Sequence, residues 1–394
     1  MNIRIIISGL GVGAVVVGFL VWLSNGASND PSAQQAVLSQ DQKTELAGIK
    51  VGVILPLSGP FASQGLSARS VMEFAIDQVN SSGGVEGRRI ELMFRDGECR
   101  SEAAAAVTEK LASTDKVRIF IGGFCTEETI GMMPVIVKYD AFLTSPYSPG
   151  PLDSEKSPYF VSMYPSDALR VAALQNLAVN VRQIKKIAIL ESRGSGAQNF
   201  VGAFKEDFAR FNGEVTSTVV DFQSSASLEG AIESLRSSNP GALYVHSDDP
   251  VEIERVFKSM RTRRWFVPLI LSLNPAMSQD FVSRNTSSLE GSLVFDYQDS
   301  MDSDMQAQFI QSYIAKNANI LPPSLYGAYV QFDTVFMLAN AMNAVGEEPM
   351  ALADWFRSIR GVVGLSGPII IGLDGARAVQ YLPAIFKKGA FKTL

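Results

Sequence analysis

Apolar runs alternate with amphipathic segments along most of the chain, and the alternation starts abruptly at residue 49. Short runs that are apolar throughout predict buried strands, and segments with a helical apolar period predict helices between them. The predicted strands are Ile49–Leu55, Arg89–Phe94, Val117–Ile121 and Ala141–Leu143, then Ile187–Leu190, Val215–Val220, Ala242–Val245 and Val267–Leu271. Such alternation is typical of parallel sheets covered on both faces by helices. The sequence therefore predicts an α/β protein with two doubly wound parallel-sheet lobes.

The remaining elements do not amount to a third domain. They are a strand-like run at Leu293–Phe295, a long helix at Leu325–Val345 and two closing strands around a turn at Leu373–Gly375. Because these elements must return to the two sheets, the chain is expected to cross between the lobes more than once, as in a hinged protein. The predicted division assigns 49–165 with 298–361 to the first lobe and 166–297 with 362–394 to the second. The crossings are predicted near Tyr164–Ala168, Phe295–Ser300 and Gly361–Gly364.

The first residues have a different character. Residues Ile5–Leu23 follow Arg4, are uncharged and mostly apolar, and are long enough to span a bilayer. We therefore expect residues 1–26 to be a signal peptide or an N-terminal membrane anchor, which would place the protein in the periplasm. Residues 27–48 are rich in Ser, Asn, Gln and Ala and are expected to form a disordered linker.

Composition excludes several functions. The 394 residues carry a net charge of −6, which argues against a nucleic-acid partner because such partners favour a basic face. The single histidine, His246, rules out His-rich metal sites and limits any Ser-His-Asp or Cys-His arrangement to that one residue. We therefore expect no metal, no cofactor and no enzymatic activity.

The two cysteines, Cys99 and Cys125, each come just after a predicted strand. In an oxidising compartment two lone cysteines are most simply a disulfide. Closing a loop of about 27 residues would stabilise the fold by roughly 3–4 kcal/mol in the chain-entropy model. A redox pair is the alternative, although such pairs usually lie closer in sequence, as in CxxC. The prediction is a bond between loops that follow neighbouring strands.

Polar residues that follow the strands are the candidates for a binding site, because ligands of open parallel sheets bind beyond the carboxyl ends of the strands. Each of them could instead cap a helix or shape a turn, and Thr126 is expected to be the N-cap of the helix that follows it. In the first lobe the candidates are Ser58, Gln64, Thr126, Ser145, Tyr147 and Ser148, and in the second they are Arg193, Ser195, His246, Ser247, Asp248, Ser272 and Asn274.

Four stretches of the sequence resemble one known family. They are "IKVGVILPLSGPFASQG", "VNSSGGVEGRRIEL", the pair "DGEC" and "GGFC", and the closing "GLDG". Together they resemble the branched-chain amino-acid (leucine/isoleucine/valine) type of periplasmic binding protein that serves ABC importers, over about residues 49–394. The resemblance implies two α/β lobes joined by three hinge crossovers, the type I periplasmic binding fold, with ligand trapped between the lobes. In many relatives a disulfide links the positions of Cys99 and Cys125.

The resemblance also implies roles for particular residues. Relatives hold the ligand's carboxylate at the positions of Thr126 and the Ser145–Ser148 loop, through hydroxyls and backbone N–H groups. An aromatic residue often found in the first loop corresponds to Gln64. The tyrosine and glutamate that surround an ammonium group in amino-acid binders fall near Gly196 and Ser272, and a further tyrosine falls on Asp248. These departures predict a small polar ligand in preference to leucine or valine.

The sequence thus predicts an exported, non-catalytic solute receptor. It would close over an amino acid, an amide or a short organic acid and deliver this ligand to the permease of an ABC importer in the inner membrane. The alternative is a ligand sensor or regulatory protein on the same fold, tethered to the membrane by residues 5–23.

Overall fold

The structure, a computed structural model, describes residues 47–148, 157–192, 195–247, 250–272, 279–297, 303–322 and 324–394. The predicted signal peptide or anchor and nearly all of the predicted linker lie outside the described residues, as do the candidates Arg193, Asp248 and Asn274. Within the described ranges, no helix combines the length and the apolar character that crossing a bilayer requires.

The first lobe is built on a six-stranded parallel sheet whose strand order is β13-β5-β4-β3-β1-β2. Its strands are β1 (Ile49–Leu55), β2 (Ile90–Asp96), β3 (Ile119–Gly122), β4 (Phe142–Ser145), β5 (Phe160–Pro165) and β13 (Ala376–Arg377). The first strand has the bounds that its apolar run predicts, and it is buried on both faces apart from Lys50. The sequence analysis did not predict β5.

Helices cover both faces of this sheet. They are α1 (Ala62–Ser81), α2 (Ser101–Ser113), α3 (Thr126–Lys138), α9 (Ser303–Lys316), α10 (Leu325–Val345) and α11 (Pro349–Arg357). One apolar core joins a face of the sheet to α1 and α10, and a second joins the other face to α2 and α3. Helix α10 has its predicted bounds because Ser324 caps its first turn, accepting a hydrogen bond from the N–H of Gly327 (3.1 Å), and Gly346 ends it at φ +77°.

The second lobe contains a seven-stranded sheet of order β15-β14-β10-β9-β8-β6-β7, in which the last five strands of this order are parallel. Its strands are β6 (Lys186–Ser192), β7 (Glu214–Val220), β8 (Ala242–His246), β9 (Leu269–Leu271), β10 (Leu293–Tyr297), β14 (Leu382–Lys387) and β15 (Ala390–Thr393). Its helices are α4 (Asp167–Gln175, extended by a π-helical turn at Asn176–Val181), α5 (Ser195–Ala209), α6 (Ser225–Ser237), α7 (Pro250–Thr262) and α8 (Gln279–Leu289). Apolar cores lie on both faces of this sheet. The α/β fold with two doubly wound lobes is therefore as predicted.

The chain crosses between the lobes three times. It leaves the first sheet after Pro165, returns between Tyr297 and Ser303, and leaves again between Arg377 and Leu382. The third crossing comes later in the chain than predicted. A separate hairpin of β11 (Arg360–Gly364) and β12 (Gly367–Ile370) packs on the first lobe, and the two residues of β13 pair with β5.

A buried arginine fixes the place of that last crossing. Arg377 is fully buried and donates hydrogen bonds to the hydroxyl of Ser366 (2.8 Å) and to the carbonyl oxygens of Ser366 (2.9 Å) and Pro368 (2.8 Å). The carboxylate of Asp333 on α10 in turn accepts from the N–H groups of Leu365 (2.9 Å) and Ser366 (2.8 Å). These bonds tie the end of the β11–β12 hairpin and strand β13 to the long helix of the first lobe.

Candidate functional site

The disulfide and a buried glutamate hold together two loops at the carboxyl edge of the first sheet. Cys99 and Cys125 are bonded to each other, with their Cα atoms 5.4 Å apart, which confirms the predicted disulfide. The carboxylate of Glu128 accepts hydrogen bonds from the N–H groups of Cys99 (3.1 Å), Phe124 (2.8 Å) and Cys125 (3.3 Å). Burial of Glu128 raises its pKa, against the opposing effect of these hydrogen bonds. The expectation that the two bonded loops follow neighbouring strands was wrong. Strand β1 lies between β2 and β3, so the disulfide spans the end of β1.

Thr126 is the first residue of helix α3 rather than its N-cap. Cys125 occupies the N-cap position, with the extended backbone (φ −95°, ψ 152°) that this position requires. Glu128, the third residue of the helix, forms part of a capping box, because its carboxylate accepts from the N–H of the N-cap residue Cys125 and from that of Phe124 before it. The hydroxyl of Thr126, on a half-buried residue, is therefore not needed as a helix cap.

The loop after β4 uses its serine hydroxyls to fix its own shape. The Ser145 hydroxyl donates to the carbonyl oxygen of Gly123 (3.1 Å) and accepts from the N–H groups of Tyr147 (3.3 Å) and Ser148 (2.9 Å). The carbonyl oxygen of Ser148 accepts from the hydroxyl of Ser162 (2.7 Å). Both serines are buried in this network, which fixes the shape of the loop.

Tyr147 joins the loops after β3 and β4. Its ring lies 4.3 Å from the ring of Phe124, and burial raises the pKa of its hydroxyl well above the ordinary value. The same ring lies close to Gly327 at the start of α10. The two aromatic side chains thus form an apolar wall beside Thr126 at the carboxyl edge of the sheet.

The two candidates after β1 differ in their surroundings. Burial alone would raise the pKa of Asp96. Hydrogen bonds to its carboxylate outweigh this effect, so the pKa is lowered. These bonds come from the Ser58 hydroxyl and from backbone N–H groups, including the N–H of Leu57 (2.9 Å). Ser58 is therefore part of the turn. Gln64, in the first turn of α1, has a buried Oε1 atom with no hydrogen-bond partner among the described residues. A buried amide oxygen without a donor indicates a place where a ligand or water donates.

In the second lobe, Ser272 is buried directly after β9, at the carboxyl edge of that sheet. Ser247, which follows β8, donates a hydrogen bond from its hydroxyl to the carboxylate of Glu252 in the first turn of α7 (2.6 Å). Nothing in the described part of the chain tests the predictions for Arg193 and Asp248.

The most distinctive cluster of this edge contains the candidate His246 and two residues that the sequence analysis missed, Arg170 and Phe200. The guanidinium of Arg170 on α4 lies 5.0 Å from the centre of the Phe200 ring and 5.9 Å from that of Tyr164. The imidazole of His246, the last residue of β8, stacks on the same phenyl ring at 4.9 Å. We call Arg170, Phe200 and His246 the cationic stack. A signal was present in the sequence, because Arg170 sits beside Val171 and one turn before Leu174 on the apolar face of a helix.

The protonation of His246 follows from its neighbours. Burial, and next the positive charge of Arg170, lower its pKa to about 3, so the ring is neutral at physiological pH. Its Nδ1 atom shares a hydrogen bond with the hydroxyl of Tyr244 (2.8 Å). The cationic stack therefore carries its positive charge on the guanidinium.

The carboxyl edges of the two sheets face each other. Helix α3 begins directly after β3 and helix α5 directly after β6, and Cα atoms of these two helices come within 8 Å of one another. Since each helix starts at the carboxyl edge of its own sheet, the space between the lobes is lined by the loops described above. This arrangement is typical of two-lobe binding proteins.

The chain belongs to the periplasmic binding protein family, whose sequence profile matches residues 48–384. An amino-acid binding protein of Pseudomonas aeruginosa is 29% identical over 160 residues, which make up 40% of this chain and 42% of that protein. The aligned part thus spans about two-fifths of this relative. The family implies a periplasmic or extracellular location and a small ligand.

Solved structures share the fold. A leucine-binding protein from Thermotoga maritima matches with a TM-score of 0.72 at 19% identity, covering 88% of this chain and 97% of its own. A solute-binding protein of an ABC transporter from R. palustris, in complex with benzoate, matches with a TM-score of 0.74 at 18% identity, covering 88% and 95%. At these identities the likeness establishes the two-lobe fold.

Proposed function

We propose that this protein is an exported solute receptor, which binds a small polar ligand between its lobes and delivers it to the permease of an ABC importer. The observation that carries this proposal is the meeting of the two carboxyl edges at α3 and α5, with three chain crossings beside them. Such crossings let a few residues absorb the rotation that closes one lobe on the other. The related proteins named above are binding proteins, which supports a receptor rather than an enzyme.

The first lobe would contact the ligand through Thr126, Gln64 and Tyr147. The Thr126 hydroxyl suits an oxygen of the ligand, and the buried Oε1 of Gln64 suits an N–H or O–H donor. Tyr147 and Phe124 would cover the apolar part of the ligand. In the second lobe Ser272 is the described candidate, and Arg193 and Asp248 stay predictions.

Ligand that co-purifies with the protein tests the proposal most simply. Mass spectrometry of the natively purified protein should release a small polar molecule, and calorimetry should show one site per chain for that molecule. Thr126→Ala should weaken its binding by about tenfold, the value of one hydrogen bond. The control is Thr286→Ala, because the exposed Thr286 hydroxyl bonds to the Val282 carbonyl oxygen of its own helix. Equal affinity of both variants and the unchanged protein would exclude Thr126 from the site.

Export is the further part of this proposal. N-terminal sequencing of protein recovered from the periplasm tests it, and a start near residue 27 is the expected result. A start at Met1 would indicate that the segment is retained.

A further inference from the structure

The amino edge of the second sheet, opposite the carboxyl edge that lines the cleft, is a surface of six turns. Helices of this lobe run back along the strands they connect, so the turns after them lie at the amino ends of β6, β7, β8, β9 and β10. The turn between β14 and β15 lies at the same edge, because β14 is antiparallel to β10. The six turns are residues 182–185, 210–213, 238–241, 263–268, 290–292 and 388–389. We call this surface the basic edge.

The charges of the basic edge are strongly asymmetric. Its turns contain six positively charged residues and one acidic residue, Glu290, in a chain whose net charge is −6. The six are Arg182, Lys185, Arg210, Arg263, Arg264 and Lys388. Arg210 is paired with Asp207 at 3.4 Å. Arg263 is paired with Glu229 at 3.3 Å. The other four form no ion pair with any residue that the structure describes.

An aromatic ring projects from this surface. The side chain of Phe266 is 84% exposed, although its neighbour Trp265 is buried in the core of the lobe. Phe211, in the turn before β7, is 51% exposed. Exposed aromatic rings among cations are typical of proteins that lie on a membrane surface, because the rings enter the headgroup region and the cations meet lipid phosphates.

Arg264 occupies a backbone position that usually holds another type of residue. It follows helix α7 with φ +51°, and the next N–H, that of Trp265, bonds to the carbonyl oxygen of Met260 (3.0 Å). The left-handed residues after the other helices of this edge are Gln183, Asn212, Asn239 and Gly291. Glycine and asparagine are the usual residues at such helix ends. An arginine here is unfavourable for the backbone, which indicates a use for its exposed charge.

The amino edge of the first lobe does not share these features. The turns that lead into β2, β3 and β4 are residues 82–89, 114–118 and 139–141, and all of them are described. They contain four positively charged residues and three acidic ones, and none of the exposed large apolar side chains of the described chain. The combination of exposed rings and excess positive charge is therefore particular to the second lobe.

We propose that the basic edge binds a membrane surface of anionic phospholipids, with the Phe266 ring in the headgroup region and the unpaired cations beside lipid phosphates. The charges are distributed along the sheet edge from β14 to β7, roughly 24 Å at the spacing of neighbouring strands. An extended surface of phosphates fits this distribution better than a single acidic cluster of a partner protein. This binding uses the edge opposite the cleft and does not depend on the proposed function.

Co-sedimentation with vesicles tests the proposal on the protein recovered from the periplasm. The vesicles contain phosphatidylcholine alone, or phosphatidylcholine and phosphatidylglycerol in equal amounts, and each is measured at low and at high salt. Binding to the vesicles with phosphatidylglycerol should be at least about tenfold stronger than to phosphatidylcholine alone. High salt should weaken it, because salt screens the charges.

Two variants of the basic edge should weaken this binding. Arg264→Gln should weaken it about fivefold, the effect of one cation close to an anionic surface. Phe266→Ser should weaken it by about tenfold or more, because the ring no longer leaves water on binding. Thermal unfolding checks that each variant is folded.

Two matched controls come from the first lobe. Leu373→Ser replaces a side chain that is 91% exposed but lies beside Asp374. Lys116→Gln replaces an exposed cation that also has a left-handed backbone, φ +58°, at a helix end. Unlike Arg264, Lys116 caps its helix, because its ammonium donates to the carbonyl oxygen of Ser113 (2.7 Å). Both controls should bind the vesicles as the unchanged protein does.

Three results would overturn the proposal. The first is equal binding to the two types of vesicle, and the second is a loss in the controls that equals the loss in the edge variants. The third is the absence of binding to either vesicle, after which the charges would be assigned to an acidic surface of a partner protein. The receptor function stands in each case, because ligand binding is measured separately by calorimetry.

Discussion

Replacement of the single histidine should change how stability depends on pH, and this change tests the geometry of the cationic stack. In the folded protein, burial and the charge of Arg170 lower the pKa of His246 to about 3, whereas the unfolded chain should show the ordinary value near 6.5. Above pH 6.5 the ring is neutral in both states. Below it, the unfolded chain gains a proton that the folded protein does not bind, so the free energy of unfolding falls as the pH is lowered.

The size of the effect follows from the two pKa values. Between pH 6.5 and pH 5 the difference of about 1.5 units corresponds to about 2 kcal/mol, at about 1.36 kcal/mol per unit. The ring is half-buried, and water screening reduces this figure, so we expect about 1–2 kcal/mol.

The measurement is urea unfolding at pH 7 and pH 5 for the unchanged protein and for His246→Gln. Carboxyl groups titrate in both proteins, so their contribution cancels in the difference. The unchanged protein should lose about 1–2 kcal/mol more than the variant on going to pH 5. Equal losses, or a larger loss in the variant, would show that His246 is not buried beside a positive charge.

Three further changes test the packing around the cleft and hinge. Replacing both Cys99 and Cys125 by serine should lower the free energy of unfolding by roughly 3–4 kcal/mol, measured in urea, and a reductant should no longer affect the midpoint. Arg377→Met should cost about 3–5 kcal/mol by leaving its buried partners unpaired, and thermal unfolding measures this loss. Gly65→Ala should destabilise by about 1–3 kcal/mol in the same assay, because its Cβ would lie 1.9 Å from the Pro56 carbonyl oxygen.

Two control variants show whether any arginine or glycine substitution in this protein lowers its stability. Arg182→Met changes an exposed arginine on the surface of the second lobe and should change stability by less than about 0.5 kcal/mol. Gly202→Ala adds a Cβ in open space on helix α5 and should stabilise by about 0.5–1 kcal/mol. Losses in either control that match those of the test variants would contradict the local explanation.

Single strands and helices could be predicted from the sequence because their apolar patterns and end residues lie within the element itself. Strand Ile49–Leu55 and helix Leu325–Val345 have the predicted bounds, the first through its unbroken apolar run and the second through its Ser324 and Gly346 ends. Strand order depends on pairings distant in the chain, so the position of β1 between β2 and β3 was not predictable from spacing. The two-residue strand β13 has no apolar period of its own, which is why the third crossing was placed too early.

The candidate site was harder to predict for a related reason. Residues after strands were correctly treated as edge residues, but their hydrogen bonds depend on tertiary neighbours, as Ser145 and Thr126 show. Cys125, not Thr126, is the N-cap, and the carboxylate of Glu128 accepts from three N–H groups of two loops, which spacing along the chain did not indicate. Arg170 was overlooked because it lies within a helix, where its stacking partner Phe200 comes from a different element.

Small-angle X-ray scattering tests the central claim, a receptor that closes on its ligand, most directly. The protein is measured without ligand and with a saturating amount of the ligand identified by mass spectrometry, whose tight binding calorimetry has confirmed. Rotation of the lobes about the three crossings should make the radius of gyration smaller in the bound state. A radius of gyration that stays the same under saturating ligand would contradict the closing receptor proposed for this protein.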